Sequence, residues 1–332
     1  MLKLLEALCS VPSVSGREHA IRNTLCDMIS PLCDEVGTDA LGNLIAVRRG
    51  TADDRKKVML CAHMDEIGYL VTFLEEDGSL RLSGVGGIHW AACAYGSVIS
   101  ERGVRGVLVP EDGVKPADYA ADKFIIDIGT SSREESESLV SVGDFFVSTP
   151  TLTPLYGRRI AGRPLDDRAG CAVLLSIAEH FTKQPPKNDL YYVFSVQEEV
   201  GCRGAKPASY AIAPDYALVF DVTGTGDVKG AKPMACRVDG GAAIKIKDAS
   251  VICHTEVVET LGRLAKENGI SHQAEILPYG GTDTSSIQMS GFGCRVGALS
   301  IPTRYIHSGT ELLSLSDAEA CVSLAVAFCD RI

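Results

Sequence analysis

In the second half of the chain, apolar runs bounded by turn residues alternate with stretches whose apolar positions recur every three or four residues. That is the pattern of buried strands interleaved with helices. It predicts helix over 168–181, strand over 190–196, strand over 216–220 and helix over 254–267. Strand over 274–277, a short helix over 284–289, strand over 294–300 and a closing helix over 316–329 follow. The first thirty-odd residues read as helical, with Ser15 ahead of Gly16-Arg17-Glu18 as a start signal and Ile21, Leu25 and Ile29 on one face. Residues 36–48 read as a hairpin about Leu41-Gly42-Asn43, and 57–62 as a short buried strand ending at His63.

From about Gly68 to Tyr156 the texture changes to short β-runs broken by turns such as Glu76-Asp77-Gly78 and Glu111-Asp112-Gly113. Such a stretch, with hardly an amphipathic helix in it, predicts a small β-barrel or sandwich inserted into the main domain. The alternation outside it predicts an α/β layer fold with a substantial sheet. No internal repeat or low-complexity tract is present.

Composition narrows the field. With 332 residues, 45% hydrophobic and 23% charged, the chain suits one large or two modest globular domains. A formal charge of −11, with no clustered Lys and Arg, argues against nucleic acid as a partner. No run approaches the roughly 20 apolar residues of a membrane span, and Glu6 interrupts what would be a signal-peptide core, so no membrane partner and a cytoplasmic location are expected. The twelve cysteines are scattered without a CxxC pair, and those at 61, 171, 294 and 321 sit in apolar surroundings. Buried free thiols in a reducing compartment are expected.

The chemistry-bearing residues follow strands or open helices. In Val196-Gln197-Glu198-Glu199-Val200-Gly201, adjacent carboxylates leave an apolar strand, so that one could hold a metal while its neighbour moves a proton; alone, the pair reads as an acidic turn. His63 and Asp65 are two apart on an extended segment and point to one side, so Asp65 could fix the imidazole, directly or at one remove. Asp166 and Asp167 precede a predicted helix, where one carboxylate suffices as a cap and two are more than a cap needs. Asp221 ends an apolar strand, and His307 lies in a loop after another. Together these residues suggest a dinuclear metal site, and their mixed donors suit Zn²⁺, Co²⁺ or Mn²⁺ better than Ca²⁺ or Mg²⁺. His19, His89, His180, His254 and His272 lack carboxylate company and are read as structural. Gly84-Val85-Gly86-Gly87 is read as a loop rather than a phosphate cradle, since no lysine and helix follow it in the required order.

These motifs resemble one family. Cys61-Ala62-His63-Met64-Asp65-Glu66-Ile67-Gly68, Leu165-Asp166-Asp167-Arg168, Val196 to Gly201, Asp221-Val222-Thr223, Gly280-Gly281-Thr282-Asp283 and Pro302-Thr303-Arg304-Tyr305-Ile306-His307-Ser308 are similar, in order, to those of the M42 metallo-aminopeptidases. The resemblance implies a zinc-peptidase α/β mixed sheet flanked by helices, with an inserted PDZ-like β-barrel that makes dimer contacts. The catalytic domain would comprise residues 1–67 and 158–332, and the inserted domain 68–157. It further implies two divalent ions per subunit, one on His63 and Asp221, the other on Glu199 and His307, with Asp166 bridging. Asp166 is preferred to Asp167 because the family motif accepts Asn at the second position. Glu198 would act as general base on a metal-bridging water, and Asp65 would stand behind the ligands. Short peptides are the implied substrates, and dimers building to dodecamers the implied assembly. Thr284-Ser285-Ser286 replaces the smaller residues expected after Asp283, which bears on the pocket. Arg304 could pair with an acidic substrate side chain, but the family carries Arg there in members of varied preference, so this residue does not fix the substrate.

Two other readings compete. Glycoside hydrolysis also uses paired acids, but adjacent Glu198 and Glu199 cannot flank a bond from opposite sides, and both histidines go unexplained. A non-catalytic, metal-stabilised peptide-binding assembly would leave Glu198 without a task.

Overall fold

A computed structural model describes residues 1–332. Two helices, α1 (Leu2–Cys9) and α2 (His19–Ile29), precede strands β1 (Glu35–Thr38), β2 (Leu44–Arg48) and β3 (Lys57–His63). The helical start is therefore split. Ser15, read as a helix start signal, instead donates to Asp65 Oδ2 at 2.6 Å, and the Ncap position of α2 falls to Glu18.

After β3 the chain forms β4 (Gly68–Leu74), β5 (Leu80–Val85), α3 (Trp90–Cys93), β6 (Ser97–Ser100), β7 (Arg105–Pro110), β8 (Phe124–Asp127), α4 (Arg133–Glu137) and β9 (Phe145–Ser148). The six strands close in the order β4-β5-β8-β7-β6-β9. Alternating inward residues such as Tyr69 and Val71, or Leu80 and Leu82, fill the barrel with its own small core. Strand β10 (Thr151–Pro154) pairs with β11 (Arg159–Arg163) in the large sheet, so the chain has left the barrel by Thr151.

The remainder comprises α5 (Arg168–Lys183), β12 (Asp189–Ser195), α6 (Ala205–Ile212), β13 (Tyr216–Thr223), β14 (Ala242–Lys247), α7 (Thr255–Glu267), β15 (His272–Ile276), α8 (Asp283–Gln288), β16 (Arg295–Arg304), β17 (Glu311–Ser314) and α9 (Leu315–Arg331). The large sheet has the path β1-β2-β12-β3-β13-β16-β17-β11-β10, with β14 beside β16 and β15 beyond it. Strands β12, β3, β13 and β16 are mutually parallel. Helices cover both faces of these strands, which is why they read as continuous apolar runs; every residue of β13 is buried. On one face α1, α2, α5 and α9 bury the larger core, and on the other α6 and α8 bury a smaller one. The parallel alignment brings the carboxyl ends of four strands to one edge, where open α/β sheets hold their ligands.

Candidate metal centre

His63 is the last residue of β3, opposite Ser195 of β12, so the sharp turn after Ser195 delivers Glu198 and Glu199 beside it. Asp221, in β13, and His307, three residues past β16, arrive at the same edge. Asp166 comes from the segment between β11 and α5. His63 Nε2 lies 3.1 Å from Asp166 Oδ1 and 3.8 Å from Asp221 Oδ1. His307 Nε2 lies 3.3 Å from Asp166 Oδ2 and 3.1 Å from Glu199 Oε2. All five residues suggested by the sequence therefore converge, and Asp166 turns one oxygen toward each imidazole.

The surrounding contacts fix this arrangement. His63 Nδ1 is 3.1 Å from the Asp65 carbonyl, so donation there leaves Nε2 free to face the centre. The Asp65 carboxylate is fully buried. It accepts from Ser15 Oγ and from the backbone N–H groups of Glu198 and Glu199 at 3.0 and 3.3 Å, and so grips the turn that carries both glutamates. Asp167 caps α5, its Oδ1 accepting from Gly170 N at 2.8 Å. Its Oδ2 has no partner, and the carboxylate also comes close to His63 and Asp221. Glu198 Oε1 accepts from the Cys202 thiol at 3.1 Å.

Several contributors escaped the sequence reading. Glu311 Oε2 accepts from the backbone N–H groups of Leu165 and Asp166 at 2.7 and 3.1 Å, while Oε1 accepts from His307 N at 3.3 Å and faces Arg163. One buried carboxylate thus ties together the two segments that bring Asp166 and His307. No motif marks it, because its partners lie far away in sequence. The barrel also reaches the centre: a Cβ at Gly86 would meet Glu199 Cβ at 3.2 Å, and one at Gly87 would meet His307 Nδ1 at 3.2 Å. His89, read as structural, caps α3, its Nδ1 accepting from Ala92 N at 3.2 Å, and it also lines the cavity over the centre. That cavity holds about 800 Å³ and runs from the five residues and Glu198 past Thr223 to Leu277 and Tyr279.

The charges ask for cations. Burial opposes a charged His63, yet Asp166, Asp65 and Asp221 outweigh it and raise its pKa well above the usual value. Burial likewise opposes charge on His307, but Asp166 and Glu199 push it up to about 11. Burial, followed by His63, Asp221 and neighbouring carboxylates acting in opposite senses, leaves Glu198 well above the carboxylate range. Asp221 is also raised well above that range, first by burial. No Lys or Arg forms an ion pair with Asp166, Glu198, Glu199 or Asp221. A buried cluster of this composition, with imidazole nitrogens and carboxylate oxygens turned inward, fits borderline divalent ions.

Fold and centre together define a metal-dependent hydrolase with its site at the carboxyl edge of a mixed sheet. The family model described as M42 glutamyl aminopeptidase matches residues 42–324, and the chain belongs to this peptidase family. It is 43% identical over 329 residues to a putative aminopeptidase of Acetivibrio thermocellus, covering 98% of this chain and 97% of that one. It is 33% identical over 343 residues to the lysyl aminopeptidase of Pyrococcus furiosus, covering 99% and 97%. Among solved structures it is similar to the TET1 peptidase of Pyrococcus horikoshii, described as assembling into a tetrahedron or a large octahedral shell. The TM-score is 0.87 at 32% identity, with 100% of this chain and 99% of that one covered.

Proposed function

We propose that the chain removes N-terminal residues from short peptides at a dinuclear centre, with His63 and Asp221 holding one divalent ion, Glu199 and His307 the other, and Asp166 shared. The observation that carries this reading is the stance of Asp166, whose Oδ1 and Oδ2 face different imidazoles. When bound, two ions of the Zn²⁺, Co²⁺ or Mn²⁺ type would supply Lewis-acid polarisation of the scissile carbonyl and a more acidic water. Glu198 then accepts a proton from the attacking water on its carboxylate and returns it to the leaving amine. Asp65 holds both the Glu198–Glu199 turn and His63 in register. The cavity of about 800 Å³ beside the centre leaves room for a chain end.

The inserted segment 68–157, whose strands β4 to β9 close the barrel and whose last residues rejoin the large sheet, serves as the dimerisation unit between catalytic segments 1–67 and 158–332, and dimers build toward a dodecamer. Two things support this: the tetrahedral or octahedral assembly described for the similar TET1 peptidase, and a barrel that closes on its own core. Twelve free cysteines support a reducing, cytoplasmic setting, and no helix is long and apolar enough to cross a membrane.

The test is Glu198→Gln assayed on aminoacyl p-nitroanilides, with bound metal and circular dichroism measured in parallel. Wild-type turnover should vanish on chelation. The variant should keep its metal and fold while kcat falls by about 10²–10⁴. A variant that turns over at the wild-type rate would refute the role of Glu198.

A further inference from the structure

A further group of metal-binding side chains stands beside the dinuclear centre and shares none of its five ligands. One donor atom from each of Glu198, Cys202 and Asp283 lies within 4.8 Å of the others. The local chain explains the meeting. Gly201 N and Cys202 N both donate to the Glu198 carbonyl, at 2.9 and 2.8 Å, so the turn after β12 curls back and returns Cys202, at φ +51, to the side chain that opened it. The Cys202 thiol then donates to Glu198 Oε1 at 3.1 Å. Asp283 arrives from a different element, as the first residue of α8.

Asp283 is only 1% exposed. Its Oδ2 accepts from Ser195 Oγ at 2.5 Å and from the Cys61 thiol at 3.8 Å, while Oδ1 has no partner. A buried carboxylate oxygen without a donor carries an uncompensated desolvation cost, which a cation held with the neighbouring thiol and carboxylate would relieve. Glu198, Cys202 and Thr282, the residue before Asp283, line the cavity, so an ion reaches the group from the substrate side. A thiolate among carboxylates suits Zn²⁺ or Co²⁺ and is a poor match for Mg²⁺ or Ca²⁺. Binding forms one metal–sulfur and two metal–oxygen bonds, and the thiol proton leaves to solvent.

We propose that Glu198, Cys202 and Asp283 form an inhibitory site for one further ion of the Zn²⁺ or Co²⁺ type, which occupies the Glu198 carboxylate and withholds it from the attacking water. The site stands on its own geometry, and only the inhibition rests on the aminopeptidase reading. With three donors and a thiol proton to lose, it fills after the dinuclear centre, so that metal in excess turns the enzyme off.

Co²⁺ is the probe, titrated in thiol-free buffer into the full chain already loaded with two equivalents of Co²⁺, while near-ultraviolet absorption and turnover of leucyl p-nitroanilide are followed together. The five ligands of the dinuclear centre include no sulfur, so a cobalt–thiolate charge-transfer band reports the further site alone. At two equivalents there should be turnover without the band. Beyond them the band should grow as kcat falls, by about 10²–10⁴ at saturation, the loss expected when a general base is blocked. Cys202→Ser, which keeps a hydroxyl donor for Glu198, should lose the band and need about tenfold or more additional Co²⁺ for the same fractional inhibition; Asp283→Asn should keep the band but shift it to about tenfold higher Co²⁺. Each variant is referred to its own activity at two equivalents, and Cys202→Val replaces the serine variant if that one melts early. The partly exposed thiols of Cys26, Cys33 and Cys294 lie outside the cavity, so a band that survives in Cys202→Ser would belong to one of them and would overturn the proposal. So would the absence of any band in the wild type, or inhibition that neither substitution shifts. A protein that turns over no substrate at two equivalents would sink the aminopeptidase reading, while the band would still decide the site.

Discussion

Asp65 illustrates how a residue shapes the centre without facing it. It accepts from Ser15 and from the turn carrying Glu198 and Glu199, and its carbonyl holds His63 Nδ1. Asp65→Ala should therefore weaken metal affinity by about 10–100-fold and lower kcat together, measured by metal titration and by turnover at saturating metal. Asp166 and Asp167 make a sharper contrast. Asp166→Asn should abolish binding of one or both ions, while Asp167→Asn, which can still cap α5 through its side-chain oxygen, should keep most activity; equal losses would contradict the choice of Asp166 as the shared ligand. The residues facing the centre were legible in the sequence because each follows a strand or opens a helix within a recognisable motif. Glu311 and Ser15 were not, since their roles exist only across long stretches of chain: Glu311 meets Leu165, 146 positions away.

At the scale of elements, the four parallel strands do the positioning. Apolar runs announced β3, β12, β13 and β16, and the structure extends the last of them to Arg304. Strands β14 and β17 went unread, because β17 has only four residues and β14 follows a long irregular stretch without periodic signal. Their pairing is fixed by tertiary contact rather than by local pattern. The barrel was legible as a change of texture. Its approach to the centre was not, because it depends on Gly86, which has φ +80 and a Cβ position only 2.6 Å from Ile67 Cγ2. Gly86→Ala is expected to cost about 1–3 kcal/mol in chemical denaturation and to lower metal affinity, because the displaced loop presses on Glu199.

At the scale of the molecule, the centre places like charges together inside the fold, so bound metal would stabilise the fold as well as serve the proposed chemistry. Chelation should lower Tm by several degrees and readdition of Zn²⁺ or Co²⁺ should restore it, since a ligand that binds the folded state alone stabilises it by mass action. An unchanged Tm would mean that the carboxylates find their compensation elsewhere. Light scattering should give a mass that is a multiple of the 35.3 kDa chain. The most direct check of the whole account is anomalous diffraction at the metal absorption edge from crystals of the zinc-loaded protein. Two peaks roughly 3.5–4 Å apart are expected, one against His63 and Asp221, the other against Glu199 and His307, with Asp166 between them. A single peak, or peaks away from these five side chains, would contradict it.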